Sequence, residues 1–302
     1  MKAAAFSEFG GPEVLRAMEI ETPEAGEGQV RVRVRAAGVQ PFDLAVREGW
    51  TPAGVSGDLP RIPGNEFAGV VDQVGEGVHG ISTGDEVLGF NLLNSYAEYV
   101  VVPAENVTAK PANMPWEVAG GFTAGTQTAY IALRQLGVGE GDTVLVHAAA
   151  GSVGTAAVQL ARIWGATVIG TAREENHDYL RSLGAIPVAY GEGLLERVHA
   201  LAPGGVDMVL DGAGGEALDI SLRLVKGDRI VTLVEHDRAE ELGVQLTKGV
   251  RLASRLAELA ELYSDGRLTF PVRRTYPLDR AADAHREVET RHGRGKVVLT
   301  VG

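Results

Sequence analysis

Between Thr143 and Ala161 the chain reads TVLVHAAAGSVGTAAVQLA: an apolar strand pattern, a tight turn of small residues and the start of an amphipathic helix. Small residues recur at every third position, Ala148, Gly151 and Gly154. This arrangement suits a pyrophosphate. The first amides of a helix have no partner inside it, and together with the positive end of the helix dipole they bind an anion without any cationic side chain. One glycine lets the backbone approach the phosphates, and the other lets the helix pack closely on the strand. Ser152 and Val153 lie between them and are expected to face the same ligand. The stripe Val153, Ala157, Leu160 and Trp164 and the next strand pattern, ATVIG, close a βαβ unit. At the end of that second strand, Ile169-Gly170-Thr171-Ala172-Arg173, no acid is present to hold a ribose 2′-hydroxyl, and Arg173 is within reach of a 2′-phosphate. Glu174 and Glu175 follow and oppose a strong phosphate site.

Around that turn the chain has room for two domains, at 302 residues with 23% charged side chains. A net charge of −12 argues against nucleic acid or an anionic membrane surface as a partner. Arg31, Arg33 and Arg35 alternate with valines, which places them on one solvated face of a strand rather than in a nucleic-acid stripe. The chain has no cysteine, so disulfides, thiolate nucleophiles and cysteine ligands are excluded. MKAAAFSEFGG breaks its apolar run at Ser7 and Glu8, before a signal-peptide core forms, and no run is long enough to span a bilayer. A soluble cytoplasmic protein with a small-molecule substrate is expected.

The pattern changes character near residues 112–120. Before it, strands are expected over Gln29–Ala36, Phe67–Val74, Glu86–Leu88 and Tyr96–Val102, separated by glycine turns, as in a β-barrel-like domain. After it, strands at Thr143–His147, Thr167–Gly170, Ile186–Ala189, Asp207–Leu210 and Arg229–Val234 alternate with helices, which makes a doubly wound parallel sheet. From Gly266 the tail returns to strands, with a short helix over Ala281–Thr290 and a last strand, GKVVLTV. The α/β nucleotide domain, 119–263, is therefore expected to be inserted in a first domain of 1–118 and 264–302.

An ordered set of motifs resembles a known family. AAGVQPFD at Ala36–Asp43, IPGNEFAGVV at Ile62–Val71, GDEVLGF at Gly84–Phe90, SYAEYVVVP at Ser95–Pro103, the glycine turn, YLRSLGA at Tyr179–Ala185, VDMVLDGAGGE at Val206–Glu216 and GRGKVVLTV at Gly293–Val301 are similar to the zinc-independent, quinone oxidoreductase (zeta-crystallin-like) branch of the medium-chain dehydrogenase/reductase superfamily. The resemblance implies a GroES-like catalytic domain beside a Rossmann domain, substrate in the cleft between them, a nicotinamide cofactor, usually NADPH, and commonly a homodimer.

The alcohol dehydrogenase branch of that superfamily holds a catalytic zinc with a Cys and a His from these motifs; here those positions are Gln40 and Asn65, followed by Glu66. About three ligands of N, S or O type are needed for such a site, so no metal is expected. The seven histidines are scattered singly. Hydride transfer to a quinone or to the β-carbon of an α,β-unsaturated carbonyl fits a metal-free site, because conjugation moves the developing charge onto an oxygen that a hydrogen-bond donor can stabilise. Gln40 stands where relatives carry an Asn and is the candidate donor. Asp43 matches the acid of the same stretch, and the structural alternative for it is an N-cap of a helix Leu44–Glu48. Where some relatives have a tyrosine, this chain has Ala45, so the proton is expected from solvent.

Resemblance also implies cofactor contacts at Tyr190, beside the 2′-phosphate with Arg173, at Thr128, Thr232 and Leu233 on the nicotinamide side, and loosely at Arg291 on the phosphate side. A lysine used by some relatives falls near Asn176. NADPH is expected over NADH. Two other readings stay open: an enoyl-thioester reductase of a biosynthetic pathway, and an NADPH-binding sensor or structural protein without turnover. The loops Trp50–Pro60 and Asn91–Ser95 are expected to shape the substrate pocket.

Overall fold

The computed structural model describes residues 1–291 and 293–302. They divide into two compact units, 1–124 with 251–302, and 125–250. The expected boundaries lay at 118/119 and 263/264. The first division falls within helix Trp116–Leu136, where no loop marks it. The second lies earlier because helix Ala253–Ser264 lies against strand Val107–Ala109.

In the first unit, a seven-stranded sheet runs in the order Val272–Pro277, Lys296–Thr300, Gln29–Val39, Glu66–Val74, Glu86–Phe90, Val107–Ala109, with Tyr99–Pro103 also paired to Gln29–Val39. Strand Gln29–Val39 is the organiser. Its inward valines Val30, Val32 and Val34 are buried, while Arg33 between them is exposed, which is the alternation that a half-buried strand requires. Arg31 leaves that solvated row to pair with Asp72 of the neighbouring strand at 3.0 Å. One edge of the strand is shared: its first half pairs with Tyr99–Pro103 and its last residues with Lys296–Thr300. The strand expected over Tyr96–Val102 starts later, because Ser95 and Tyr96 donate their amides back to Gly64 and Pro63. A separate hairpin, Lys2–Ala5 with Arg16–Glu19, carries too short a pattern to be read from sequence.

The second unit is a six-stranded parallel sheet in the order Ile186–Val188, Thr167–Thr171, Thr143–Val146, Met208–Asp211, Ile230–Thr232, Gln245–Leu246. Leu145, Ile169, Val209 and Ile230 fill its core, as parallel strands buried on both faces demand. The order reverses between Thr143–Val146 and Met208–Asp211, and such a switch point opens a crevice at the carboxyl ends of the strands. The last expected strand, Arg229–Val234, shortens to Ile230–Thr232 because the Thr232 hydroxyl accepts from the amides of Val234 and Glu235 and turns the chain. No described helix is long and apolar enough to cross a membrane.

Candidate active site

The glycine turn of the second unit leaves the sheet at the switch point. After buried strand Thr143–Val146, Ala148 adopts a left-handed backbone at φ 55, and Gly151 is the N-cap of helix Ser152–Ile163 with no side chain bonded to the helix start. Its first-turn amides are therefore left for an external acceptor. Gly154 is buried where a Cβ would collide with Ala148 O and lie 2.6 Å from Ala149 Cα. The close packing expected at this glycine is present. A buried network not visible in the sequence pins the turn. The Ala148 amide donates to Thr171 Oγ1 at 3.2 Å, that hydroxyl lies 3.2 Å from His147 Nδ1, and His147 Nε2 lies 2.9 Å from Ser221 Oγ, which donates to Ala217 O. Burial pulls His147 down to about 4, so the ring is neutral and works as one donor and one acceptor.

Around the turn, the structure brings Arg173 and Tyr190 together. Arg173 follows strand Thr167–Thr171, is exposed, and donates from Nε to Tyr190 OH at 3.0 Å. Thr232, by contrast, is buried and committed: its hydroxyl donates to Asp211 Oδ2 at 2.8 Å, while Asp211 Oδ1 accepts from the amides of Ala213 and Gly214. Leu233 is half-buried, with its amide on Asp211 O at 2.9 Å. Thr128 is half-buried on helix Trp116–Leu136. Arg291 belongs to the first unit, where it is exposed at φ 53 and its amide closes helix Ala281–Glu289 on Val288 O.

A second candidate site lies in the first unit. Pro41 at the first helical position starts helix Pro41–Arg47 three residues earlier than expected, so the N-cap is Gln40, not Asp43. Asp43 is the third helical residue and accepts the Gln40 amide at 3.0 Å and the Tyr96 hydroxyl at 2.9 Å on Oδ2. It is fully buried, and burial pushes its carboxyl up to about 7 against the pull of Tyr96 and Lys296. Gln40 is nearly buried; its Nε2 donates to Asn65 Oδ1, and its Oε1 accepts from Lys296 Nζ at 2.6 Å. Lys296 is itself buried and ion-paired to Glu66 Oε1 at 2.5 Å, while Glu66 Oε2 accepts the Ala124 amide at 2.6 Å. Arg251 NH1 donates to Asn65 O at 3.0 Å and Asn65 Oδ1 at 3.2 Å. Burial lowers its pKa.

Strand register assembles this cluster. Val297 stands opposite Val39, which puts Lys296 beside Gln40, and Ala37 opposite Phe67, which puts Glu66 beside Gly38. Sequence reasoning passed over Lys296, Arg251, Tyr96 and the closeness of the two carboxylates of Asp43 and Glu66. The only sequence signal for Lys296 is a lysine flush against the apolar run Val297–Leu299. The loop Trp50–Pro60 is anchored by buried Arg61, which donates to Thr51 Oγ1 at 3.2 Å and Ser56 O at 2.6 Å.

The donor set does not fit zinc. Two amides bonded to each other and one carboxylate already neutralised by an ammonium leave no ligand sphere for a dication, and Lys296 and Arg251 add positive charge. A dinucleotide fits the glycine turn, whose uncapped helix start and Cβ-free packing suit a pyrophosphate.

Residues 26–112 match the alcohol dehydrogenase GroES-like domain family, and residues 183–299 the family described as zinc-binding dehydrogenase; in this chain the second description does not extend to a metal site at Gln40 and Asn65. The chain is 37% identical to pikromycin polyketide synthase component PikAII of Streptomyces venezuelae over 91% of its own length, and spans 8% of that protein. It is 32% identical to the chloroplastic NADPH-dependent alkenal/one oxidoreductase of Arabidopsis thaliana, covering 99% of this chain and 79% of the relative. The crystal structure of Escherichia coli quinone oxidoreductase complexed with NADPH is similar at a TM-score of 0.86 and 28% identity, covering 99% of this chain and 100% of that one.

Proposed function

We propose that this chain, which belongs to the medium-chain dehydrogenase/reductase superfamily with a GroES-like domain and a Rossmann domain, is an oxidoreductase that uses NADPH to reduce quinones or α,β-unsaturated carbonyls without a metal. The observation that carries this reading is the composition of the cluster at Gln40: an amide donor beside a buried ammonium, with no ligand set for zinc. Bound NADPH supplies the hydride.

Gln40 Nε2 has two hydrogens, one of which is used by Asn65; the other donates to the substrate oxygen that gains charge as the conjugated system is reduced. Asp43, without solvent exposure, holds the Gln40 amide and so the start of its helix, and the proton for the product comes from solvent. Ser152, Val153 and the two glycines hold the pyrophosphate. Arg173, oriented by Tyr190, holds the 2′-phosphate, where a planar guanidinium can bind bidentately. Thr128 and Leu233 lie on the nicotinamide side, and Thr232 supports them by fixing Asp211. Arg291 is at most a phosphate-side charge. The reductase acts on a small molecule as a cytoplasmic homodimer, with neither nucleic acid nor membrane as a partner.

A second reading, an enoyl-thioester reductase, is favoured by the 37% identity to a polyketide synthase component. Loss of nicotinamide absorbance separates them. Turnover with quinones or enones supports the first reading, saturation by an acyl-thioester alone moves the assignment to the second, and NADPH binding without turnover on any of these leaves a binding protein.

A further inference from the structure

We propose that Lys296 is a positioning residue that fixes which way the side-chain amide of Gln40 points. The proposal rests on the reading of Gln40 as the hydrogen-bond donor.

A primary amide offers an acceptor on one side and two donors on the other. In a neutral environment the two orientations compete. Here Gln40 Oε1 lies 2.6 Å from Lys296 Nζ. An ammonium has donors only, so a flipped amide would set NH2 against NH3⁺, whereas the observed orientation makes a charge-assisted bond of about twice ordinary strength. The other end agrees. Gln40 Nε2 donates to Asn65 Oδ1, and Arg251, also donor-only, keeps that oxygen an acceptor from 3.2 Å. Both amides are thus set by cations, and the second Nε2 hydrogen of Gln40 is left for a substrate. Polarisation along the chain from ammonium to amide strengthens that hydrogen as a donor.

The fold provides for the ammonium specifically. Glu66 Oε1 neutralises it at 2.5 Å, and the Ala124 amide holds the other carboxylate oxygen at 2.6 Å. A Cβ at Gly121 would lie 2.7 Å from Lys296 Cγ, and one at Gly38 would lie 2.7 Å from Lys296 Cε. The lysine therefore runs in a slot floored by two glycines instead of extending to water, as lysines ordinarily do.

The test removes the ion pair as a unit, Lys296→Met with Glu66→Gln, so that no bare charge remains, in the full chain and in the Gln40→Leu chain. Folding of each is checked by thermal melting. With an enone and NADPH, pair removal is expected to lower kcat about tenfold to a hundredfold in the full chain, the scale of a misplaced catalytic group. KM for NADPH should stay within about twofold, as expected when the lost interaction is not made to the cofactor. In the Gln40→Leu chain the same removal should cost less than about twofold, because residues that act through one another are not additive. Equal factors in the two chains would make Lys296 a support of the fold and overturn the proposal. An unchanged kcat in Gln40→Leu alone overturns the reading of Gln40, and the proposal with it.

A second readout needs no turnover. In the cofactor-free protein, the side-chain amide signal of Gln40, assigned by its loss in Gln40→Leu, should show two well-separated protons. Pair removal should bring them together and speed their exchange with solvent. An unchanged signal in a folded variant counts against the proposal.

Discussion

The glycine turn of the second unit offers the first-turn backbone amides of helix Ser152–Ile163, which no side chain caps, while the cluster of the first unit draws its groups from side chains at positions 40, 43, 65, 66, 96, 251 and 296. An anion at the turn would meet dipoles that are part of the chain's own helix, which asks for small residues and little else. The cluster buries ionisable side chains, so a charge there needs a partner, as Lys296 has in Glu66, and Asp43, whose Oδ1 has no hydrogen bond, is pushed toward its neutral form instead. The turn should therefore fail through shape and the cluster through pairing.

The largest expected effect tests shape. Gly154→Val should abolish NADPH binding in calorimetric titration and destabilise the second unit, since even a Cβ there comes within 2.6 Å of Ala149 Cα. Unchanged affinity would place the pyrophosphate elsewhere.

The next tests the burial of charge. The Asp43 carboxyl is raised from 3.8 to about 7 in the folded protein. As pH rises through this window the unfolded chain releases its proton first, so Asp43 contributes stability in full below about pH 4 and loses it up to about pH 7, by roughly 4 kcal/mol. Asp43→Asn should lack that slope, so the stability difference between the two proteins, read from denaturant curves, should change by about that amount between pH 4 and 7. Parallel stability profiles from pH 4 to 7 would show that the cluster carries its carboxylate ionised at no cost.

Pairing at the chemistry itself is tested by Gln40→Leu. Turnover with an enone should fall about tenfold to a hundredfold, at or below the lower end for a lost oxyanion donor because the amide is uncharged, with NADPH affinity unchanged. Equal losses in both would make the amide structural.

Arg173→Ala probes the one side chain the turn region is proposed to use. It should weaken NADPH about tenfold and leave NADH almost untouched, and added salt should narrow the gap because the exposed pair is screened. Loss for both cofactors alike would give Arg173 a general supporting role.

The smallest effect sharpens the contrast from the turn's side. Ala148 sits at φ 55, a conformation costly for any residue with a Cβ, so Ala148→Gly should gain about half a kcal/mol after the greater entropy of glycine in the unfolded chain is subtracted. A drop in melting temperature would mean that the His147–Thr171 network depends on the alanine.

Legibility in the sequence follows the same division. The turn and the strands flanking it were readable, because each depends on neighbours in the chain or on a single βαβ step; the hydrogen bond between Arg173 and Tyr190 came only with the structure. Two boundaries differ from the sequence pattern: the Thr232 hydroxyl takes backbone amides and ends its strand early, and Pro41, preset for the first helical position, starts the helix there with Gln40 as N-cap. In the cluster the sequence points to Gln40 as a donor, to Asp43 as the acid of the same stretch or a helix cap, and to Asn65 and Glu66 as the residues at a lost ligand position. Nothing in the spacing says that Glu66 is neutralised by a lysine or that Tyr96 donates to Asp43.

The sequence by itself determined the glycine turn, the parallel sheet that carries it and the absence of the Cys and His at positions 40 and 65, since small-residue spacing, apolar periodicity and side-chain chemistry are local properties. Tertiary structure alone decided which charges meet. Gln40 and Lys296 stand 256 residues apart, and they touch because Val297 pairs with Val39. Antiparallel register, set by which faces are buried, places the residue after Val39 beside the residue before Val297, and a one-residue slip would turn Lys296 to the opposite face.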